Sequence, residues 1–366
     1  MLRSPLMDEA LELARQGLGR TSPNPAVGAV LVKDGQIVGR GFHTYAQAKH
    51  AEVIALEEAG EQSHGATLYI TLEPCSHHGR TPPCAEALIR AGVTRVIAAM
   101  QDPNPQVAGQ GFRRLHAAGI AVEVASEYTD QAARLNEPFI HAMKTGLPLV
   151  TLKAALTLDG KIAAPEDNTG WITSERARAH VQEIRHVADA ILTGIGTVLS
   201  DDCLLTDRTG LERSRPLLRI VADSTLRIPV NSRMIASANG DVAVITTSVS
   251  SEERRRALEC RGVRVVVFDG PGGRVDLSKL PAWLASEQYR SLMIESGSKL
   301  NWAALESGIV DKIFFYYAPK ILGGLRSLPV AGGTGRLRRT DAIQLHQVRL
   351  HSIPPDEFAV EGYVLK

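Results

Sequence analysis

The chain has 366 residues, of which 44% are hydrophobic and 22% charged, and its formal net charge at pH 7 is +1. These values are typical of an ordinary globular protein, the length predicts two domains, and the near-zero charge argues against a nucleic-acid partner. Residues 1–19 read as a charged amphipathic helix rather than a secretory signal, and no apolar run reaches the ~20 residues of a membrane span. We therefore expect a cytoplasmic protein without a membrane partner.

The first part of the chain alternates between strand and helix patterns. Two apolar segments within residues 27–42 flank Asp34-Gly35, a strong turn signal that predicts a hairpin. The elements predicted next are a helix over 50–59, a strand over 67–72, a helix over 85–91, and strands over 93–100 and 120–124. This alternation is typical of an α/β sandwich with helices on both faces of the sheet.

Three potential zinc ligands, His50, Cys75 and Cys84, lie in this part of the chain. One imidazole and two thiolates leave the fourth position of a tetrahedral zinc open, as in catalytic sites. Glu52 follows His50 by two residues and can serve as the proton carrier that a zinc hydrolase needs. A His-x-Glu motif followed by Pro-Cys-x-x-Cys marks zinc nucleobase deaminases, but here eight residues separate the cysteines.

The positions of these residues relative to the predicted helices support the same interpretation. His50 and Cys84 both lie at predicted helix N-termini, where the helix dipole favours a thiolate over a thiol. A structural zinc with His77 or His78 as fourth ligand is the alternative, but it leaves Glu52 without a role.

The second part of the chain follows a break over residues 142–149 that predicts domains at 1–146 and 147–366. It contains a capped helix over 174–187 and strands over 148–156, 188–193, 218–222, 242–246, 263–268, 292–295 and 312–317. Residues 194–198 resemble half of a Gly-rich phosphate loop, although the third glycine is missing and a glycine pair can also be a plain turn. Residues 295–298 precede a predicted helix over 300–305, where backbone N–H groups can hold a pyrophosphate.

Taken together, these motifs resemble the bifunctional deaminase-reductases of riboflavin biosynthesis. Residues 22–28, 76–83 and 101–105 resemble their pyrimidine deaminase half, and residues 153–161, 171–174, 196–202, 223–224 and 318–324 their reductase half. The resemblance implies a cytidine-deaminase-like α/β/α sandwich followed by a dihydrofolate-reductase-like α/β domain. It also implies one catalytic zinc ion, NADPH and a homodimer formed through the reductase domains.

In the reductase half, the resemblance implies two sets of site residues. Cofactor-contacting positions are matched by Ala155, Trp171, Thr197, Asp201, Ser224, Gly297, Ser298, Lys299, Leu300, Asn301, Trp302 and Ala303. Substrate-holding positions are matched by Thr169, Arg185, Leu205, Arg208 and Glu295. Two arginines suit bidentate capture of a ribose 5-phosphate. Lys153, Asp201 and Glu295 are candidates for assisting proton transfer, and the sequence does not rank them.

In the deaminase half, further residues have both a functional and a plain interpretation. Asn24, between two prolines, is predicted to hold the pyrimidine edge, or else is a turn residue. His43 is predicted to face the ribose phosphate, or else is a surface residue. His77 and Arg80 are predicted to line the substrate mouth, or else are loop residues without a role.

The chain departs from the family at two places in the reductase half. Cys203 replaces a proline that usually follows Asp202, and Asp207 replaces an apolar residue before Arg208, so that Asp207 could draw Arg208 away from the phosphate. Cys203 and Cys260 are both expected to be small packing residues.

The predicted function is therefore deamination of 2,5-diamino-6-ribosylamino-4(3H)-pyrimidinone 5′-phosphate by a zinc-activated water, then NADPH reduction of the ribosyl side chain to give 5-amino-6-ribitylamino-uracil 5′-phosphate. The alternatives are a tRNA or nucleobase deaminase with an accessory domain, and a zinc-stabilised nucleotide sensor.

Overall fold

The computed structural model describes residues 3–76, 82–104, 107–166 and 169–366. Contacts divide it into two compact units, one formed by Met1–Leu147 with Glu212–Arg215 and the other by Pro148–Leu211 with Pro216–Lys366. The domain limits themselves stay a prediction, because spatial contacts do not by themselves define folding units. Within the described residues, every helix falls short of the length and hydropathy needed to cross a bilayer.

The first unit is built on a five-stranded sheet with strand order β2-β1-β3-β4-β5. Its strands are β1 (Gly28–Lys33), β2 (Gln36–Phe42), β3 (Thr67–Ile70), β4 (Arg95–Ala98) and β5 (Ala121–Val124). Its helices are α1 (Pro5–Gln16), α2 (Ala51–Ala59), α3 (Cys84–Arg90), α4 (Gln110–Ala117), α5 (Thr129–Leu135) and α6 (Glu137–Thr145). The hairpin predicted from Asp34-Gly35 is confirmed, since β1 and β2 pair antiparallel around it and both turn residues have positive φ.

Successive residues of the central strands point to opposite faces of this sheet. Leu31 and Leu68 join a core that includes buried residues of α2, α3 and α4, whereas Val30 and Ile97 join one that includes α1 and α5. Helices therefore cover both faces, which confirms the predicted α/β/α sandwich. Gly41 allows α2 to approach β2 closely, because a Cβ at this position would lie 2.1 Å from the Ala51 carbonyl oxygen.

The second unit contains a nine-stranded sheet with order β11-β10-β9-β8-β12-β6-β13-β16-β15, and a two-stranded sheet β14-β7. Its strands are β6 (Leu149–Thr157), β7 (Lys161–Ala163), β8 (Ala190–Gly194), β9 (Leu218–Ala222), β10 (Val242–Thr246), β11 (Arg264–Val267), β12 (Ser291–Ile294), β13 (Lys312–Ala318), β14 (Leu328–Pro329), β15 (Leu345–Ile353) and β16 (Glu357–Val364). Its helices are α7 (Glu175–Val187), α8 (Ile195–Asp201), α9 (Arg233–Ala236), α10 (Glu252–Glu259), α11 (Leu280–Ser286) and α12 (Ser298–Glu306).

The strands from β11 to β13 run parallel, and β16 and β15 add an antiparallel edge. Helix α7 packs on one face through Val181, and α11 and α12 pack on the other through Leu284 and Ala304. The predicted cap of α7 is present, since Ser174 Oγ accepts a hydrogen bond from the Ala177 N–H at 3.2 Å. Sequence reasoning missed β15, because its only buried residue is Ile353 and it therefore shows no apolar run.

Candidate active sites

His50, Cys75 and Cys84 lie together in the first unit although they come from different elements. His50 is the N-cap of α2, Cys84 is the first residue of α3, and Cys75 follows β3. Their ligand atoms all lie within 4.8 Å of one another. The His50 Nδ1 atom faces the thiols, at 3.1 Å from Cys84 Sγ and 3.5 Å from Cys75 Sγ. This cluster fits a zinc site.

The electrostatics of the two thiols agree with a metal site. A hydrogen bond from the Cys84 thiol lowers the pKa of Cys75 to about 4, and the Cys84 backbone N–H also donates to Cys75 Sγ at 3.3 Å. The same thiol hydrogen bond and burial raise the pKa of Cys84 well above its usual range. A thiolate, a second thiol and an imidazole are donors that would suit a divalent zinc ion, since the thiol would lose its proton on becoming a ligand.

Glu52 lies in the first turn of α2, beside the cluster but outside its set of ligand atoms. The side chain is only 3% exposed, and burial, reinforced by the negative charge of Cys75, raises the pKa of the carboxyl group to about 7. Its carboxyl group is hydrogen-bonded to Cys84. The arrangement thus places a proton-carrying group next to the position a zinc ion would take.

His43 lies against this cluster, and the Asn24 side chain contacts His43. The His43 ring is 4% exposed and its centroid lies 5.4 Å from that of His50, so the interpretation of His43 as a surface residue is wrong. Its Nδ1 donates to the Lys49 carbonyl at 2.8 Å, which leaves Nε2 to accept from Asn24 Nδ2 at 3.1 Å. The predicted residues His77 and Arg80 lie outside the described residues.

In the second unit, two buried cations, Lys153 and Arg185, flank the half-buried carboxylate of Glu295. Lys153 lies on β6 and Glu295 follows its parallel neighbour β12. Lys153 Nζ donates to Glu295 Oε1 at 2.9 Å, and Arg185 Nη2 donates to Oε2 at 2.7 Å. Burial would raise the pKa of Glu295, but the attraction of the two cations outweighs burial and lowers this pKa to about 2. Glu295 is therefore a carboxylate at neutral pH.

Helix α7 holds the segment that includes Arg208 at several points. Arg185 Nη1 donates to the Thr206 carbonyl at 2.7 Å, and the Arg208 N–H donates to Gln182 Oε1 at 3.0 Å. Asp207, expected to draw Arg208 away, instead accepts from His186 Nδ1 at 2.7 Å. Asp207 thus pairs with a buried histidine of α7, and its other oxygen accepts from the Thr209 N–H at 2.9 Å, while the Arg208 residue remains exposed.

The carboxyl ends of three adjacent parallel strands bring together several residues matched to cofactor contacts. The Gly194 N–H, at the end of β8, donates to Ser296 Oγ, beyond β12, at 2.9 Å. Thr197 Oγ1 lies 3.8 Å from where a Cβ of Gly297 would stand, and Ser224 follows β9. In open α/β sheets, ligands bind at this end of the strands.

Helix α12 presents its N-terminus at this edge. Its N-cap, Gly297, has no side chain to cap the helix, and Ser298 Oγ is buried with no hydrogen-bond partner among the described residues. The backbone N–H groups of the first turn of α12 and the Ser298 hydroxyl are donors that suit a phosphate group. The side chain of Asn301 is oriented by a hydrogen bond, since its Nδ2 donates to the Val330 carbonyl at 2.8 Å. The rest of the predicted segment, Lys299, Leu300, Trp302 and Ala303, lies along the same helix.

The other predicted residues occupy varied positions. Trp171 is 68% exposed, with the Arg178 guanidinium 4.7 Å above its ring. Thr169 is exposed, as is Asp201 at the end of α8, whereas Ala155 is half-buried on β6 and Leu205 is buried with a positive φ of 52°. Of the two cysteines expected to pack, Cys203 contacts the core around α7, but Cys260 is exposed, so that expectation was wrong for Cys260.

Sequence reasoning missed two residues beside these sites. Glu73, directly before Pro74-Cys75, is buried, and its charge between an apolar strand and a metal-ligating motif was an available signal. Tyr316 on β13 contacts His180 Nδ1 through its hydroxyl at 2.8 Å, and Lys153 Nζ lies 6.0 Å from its ring centroid. Its aromatic, apolar surroundings in the sequence gave no such signal.

Comparisons with known proteins cover both units. Residues 2–100 match the family described as the cytidine and deoxycytidylate deaminase zinc-binding region, and residues 148–356 match the RibD C-terminal domain. Riboflavin biosynthesis protein RibD of Escherichia coli (strain K12) is 43% identical over 365 residues, covering 96% of each chain. The protein of the same name from Actinobacillus pleuropneumoniae is 42% identical over 339 residues, 93% of this chain and 89% of that one.

Solved structures are also similar to this chain over nearly its whole length. Acinetobacter baumannii RibD, form 1, superposes with a TM-score of 0.85 at 37% identity and covers 99% of this chain and 98% of that one. A diaminohydroxyphosphoribosylaminopyrimidine deaminase/5-amino-6-(5-phosphoribosylamino)uracil reductase from Thermotoga maritima superposes with a TM-score of 0.83 at 34% identity, covering 98% of both chains.

Proposed function

This chain belongs to the RibD family of riboflavin biosynthesis proteins, and from that membership we propose how its residues divide two successive reactions. It is a bifunctional enzyme, with a zinc-dependent deaminase domain and an NADPH-dependent, dihydrofolate-reductase-like reductase domain. A tRNA deaminase with an accessory domain and a nucleotide sensor are not favoured, because both halves match the family in order.

The proposed substrates follow from the family and from the two site chemistries. The deaminase converts 2,5-diamino-6-ribosylamino-4(3H)-pyrimidinone 5′-phosphate to its uracil counterpart. The reductase then converts the ribosyl side chain of that product to ribityl, giving 5-amino-6-ribitylamino-uracil 5′-phosphate. The name of the Thermotoga maritima relative supports this assignment.

For the deaminase, the proposed metal ligands are His50 through Nδ1 and Cys75 and Cys84 through their sulfur atoms. A zinc ion held there lowers the pKa of a water molecule to about 7 and so makes a nucleophile available at neutral pH. Glu52 takes a proton from the attacking water and passes it to the ring nitrogen beside the attacked carbon. It then transfers the remaining hydroxyl proton to the amino group, which leaves as ammonia while the carbon keeps the oxygen as a carbonyl. The observation that carries this role is the position of Glu52 beside the ligand atoms.

Substrate recognition in the deaminase is assigned to Asn24 and His43. Because Asn24 Nδ2 donates to His43 Nε2, the amide is oriented and its oxygen can accept from an N–H on the pyrimidine edge. His43 then acts on the substrate through Asn24, in addition to its predicted place near the ribose phosphate. His77 and Arg80 are retained as proposed residues of the substrate mouth on the basis of sequence.

For the reductase, the α12 N-terminus and Ser298 are proposed to hold the cofactor pyrophosphate, and the remaining matched residues to line the rest of the cofactor. Bound there, NADPH would supply the hydride for C1′ of the sugar, whose bond to the ring oxygen breaks. Arg208, exposed on the segment held by α7, is assigned to the substrate phosphate. Both terminal nitrogens of Arg185 already donate to protein atoms, so its assigned role is to support Glu295 and that segment.

We rank the three proton-transfer candidates by their burial and their ion pairing. Glu295 is a carboxylate with a strongly lowered pKa, so it does not suit proton donation at neutral pH, and Asp201 is exposed to solvent at the end of α8. Lys153 is a buried ammonium oriented by Glu295 at 2.9 Å. We therefore assign Lys153 as the donor of the proton to the departing ring oxygen, with Glu295 as its positioning residue.

The proposed assembly is a homodimer, with β15 as the contact. This strand is the last in the sheet order, spans Leu345–Ile353, and exposes Val348 by 52% and Leu350 by 74%. An edge strand with exposed apolar side chains readily pairs with another copy. The opposite edge strand, β11, has four residues and offers a shorter contact.

The enzyme is proposed to act in the cytoplasm on small molecules rather than nucleic acids. A net charge of +1 supports small-molecule partners, and the two site cysteines must stay reduced to bind zinc.

A coupled assay tests the function: protein is mixed with the diaminopyrimidine substrate, and ammonia release and NADPH absorbance are followed together. Glu52→Gln should abolish ammonia release while keeping its zinc and its NADPH-dependent reduction of the deaminated intermediate. Zinc-loaded wild-type protein that releases no ammonia would contradict the proposal, and loss of zinc in Glu52→Gln would make Glu52 a ligand instead.

A further inference from the structure

Glu73 is a buried carboxylate, 3% exposed, that does not belong to the cluster of zinc ligand atoms. Its backbone N–H donates to the Met100 carbonyl at 3.0 Å, which continues the alignment of β3 with β4. Its side chain accepts four backbone hydrogen bonds. Oε2 accepts from Asp102 at 3.1 Å and Gly109 at 2.9 Å, and Oε1 accepts from Gly111 at 2.9 Å and Phe112 at 3.3 Å. Four acceptances use the full capacity of a carboxylate.

Three of these donors belong to the N-terminal turn of α4. The helix begins at Gln110, and its N-cap, Gly109, has no side chain with which to satisfy the first N–H groups. The first turn of a helix leaves such groups without intrahelical partners, and an anionic side chain there is stabilising. Glu73, 36 residues earlier in the chain than Gly109, therefore caps α4 from a distance.

Cys75 likewise accepts hydrogen bonds from N–H groups at the start of a second helix, α3. Its Sγ accepts from the Cys84 N–H at 3.3 Å and its carbonyl accepts from the Ala85 N–H at 3.1 Å, and these are the first two residues of α3. The segment 73–75 is thus bonded at one end to the start of α4 and at the other to the start of α3.

Pro74, the residue between Glu73 and Cys75, is also fixed. Pro74 has a restricted backbone, and its carbonyl oxygen would lie 1.9 Å from a Cβ on Gly111. The α4 backbone can approach this closely only because residue 111 is glycine. Little freedom remains for Cys75 to move relative to α4.

We infer that Glu73 is a positioning residue of the deaminase: by capping α4 it fixes Pro74 and Cys75, and so sets the distance between the thiolate of Cys75 and the other ligands. This inference rests on the proposed role of Cys75 as a zinc ligand. Outer residues that hold metal ligands typically change metal affinity by about 10- to 100-fold when replaced.

The test measures the rate at which the zinc-loaded full chain gives up its metal to an excess of a chromogenic chelator. Glu73→Gln replaces one acceptor oxygen with an N–H₂ group that faces backbone donors, and should accelerate zinc release by about 10-fold or more. Gly111→Ala disturbs the same contact from the side of α4 and should act in the same direction. Glu73→Asp keeps both acceptor oxygens, so it should release zinc more slowly than Glu73→Gln.

One control separates positioning from a general loss of stability, and a second tests the zinc ligand. Leu11→Ala removes a buried side chain of α1 on the other face of the sheet, so it should lower the melting temperature without accelerating zinc release. Cys75→Ser tests the ligand itself and should abolish stable zinc binding.

The outcomes are distinguishable. Zinc release at the wild-type rate in Glu73→Gln, or release that simply follows the melting temperature in all variants including Leu11→Ala, overturns the inference. Normal zinc retention in Cys75→Ser would instead overturn the proposed ligand set. If Glu73→Gln does not fold, the comparison of Gly111→Ala with Leu11→Ala decides by the same criterion.

Discussion

Lys153 Nζ, from the middle of β6, and Glu295 Oε1, just beyond the end of the parallel strand β12, are 2.9 Å apart, and Arg185 holds the other carboxylate oxygen at 2.7 Å. One anion between two buried cations leaves a net positive charge at this position. That charge suits a site that must supply a proton to a developing alkoxide.

Lys153→Met should therefore remove the proton donor while keeping a side chain of similar length. We expect the turnover number of the reductase to fall by about 10²- to 10⁴-fold, with ammonia release by the deaminase unchanged. The measurement is NADPH oxidation with the deaminated intermediate, with NADPH affinity from fluorescence titration as the control. Wild-type turnover in Lys153→Met would remove it from the mechanism.

The depressed pKa of Glu295 predicts a pH-dependent contribution to stability. Because this pKa is about 2 in the folded chain against an ordinary 4.5, the carboxylate stabilises the fold fully above pH 4.5 and loses its effect as pH falls from 4.5 towards 2. Glu295→Gln should be less stable than wild type at neutral pH, and the difference should shrink below pH 4.5. Urea unfolding followed by tryptophan fluorescence measures it selectively, since Trp171, Trp283 and Trp302 all lie in the second unit. A difference that does not change with pH would contradict the ion pairing.

The pair formed by His186 and Asp207 should govern the binding of phosphorylated substrate. His186→Ala removes a hydrogen bond to a carboxylate, which is worth about 1.5–3 kcal/mol, and frees the segment that includes Arg208. If that energy appears in binding, KM for the deaminated intermediate rises about 10- to 100-fold while KM for NADPH is unchanged. Steady-state kinetics with each substrate varied in turn checks this. An equal rise in both constants would indicate a general defect of the domain instead.

Removal of zinc should separate the two activities. A chelator that strips the His50, Cys75 and Cys84 cluster should abolish ammonia release, and added zinc should restore it. Reduction of the deaminated intermediate should continue in the metal-free protein, because the cluster lies within the first unit. Metal content by atomic absorption accompanies each assay, and loss of both activities together would mean that zinc also supports the reductase.

The proposed dimer predicts that a charge on β15 disrupts assembly. Leu350→Glu should shift the mass measured by light scattering from that of two chains to that of one. Val249→Glu, at another exposed apolar residue of the same unit, is the matched control and should leave the mass unchanged. A dimer that persists in Leu350→Glu would place the contact elsewhere.

The sequence singled out the cluster of His50, Cys75 and Cys84, which fits a zinc site, because zinc chemistry restricts the residue types and their order. His50, Glu52, Cys75 and Cys84 can be recognised without knowing the fold. The same holds for the sandwich of the first unit, whose strands alternate with helices at regular spacing.

The supporting contacts could not be predicted in this way. Glu73 acts on N–H groups 29 to 39 residues further along the chain, and Tyr316 meets His180 across 136 residues. Such partners depend on how strands and helices pack, which local patterns do not encode. Likewise, β15 was missed because its side chains face outward rather than into a core.

The double anchoring of residues 73–75 also bears on the unusual cysteine spacing. Cys75 is held through Glu73 and Pro74, and Cys84 is held as the first residue of α3. The two sulfur atoms thus obtain their separation from flanking structure and not from the length of chain that joins them. A connection of a different length is therefore compatible with the same metal centre.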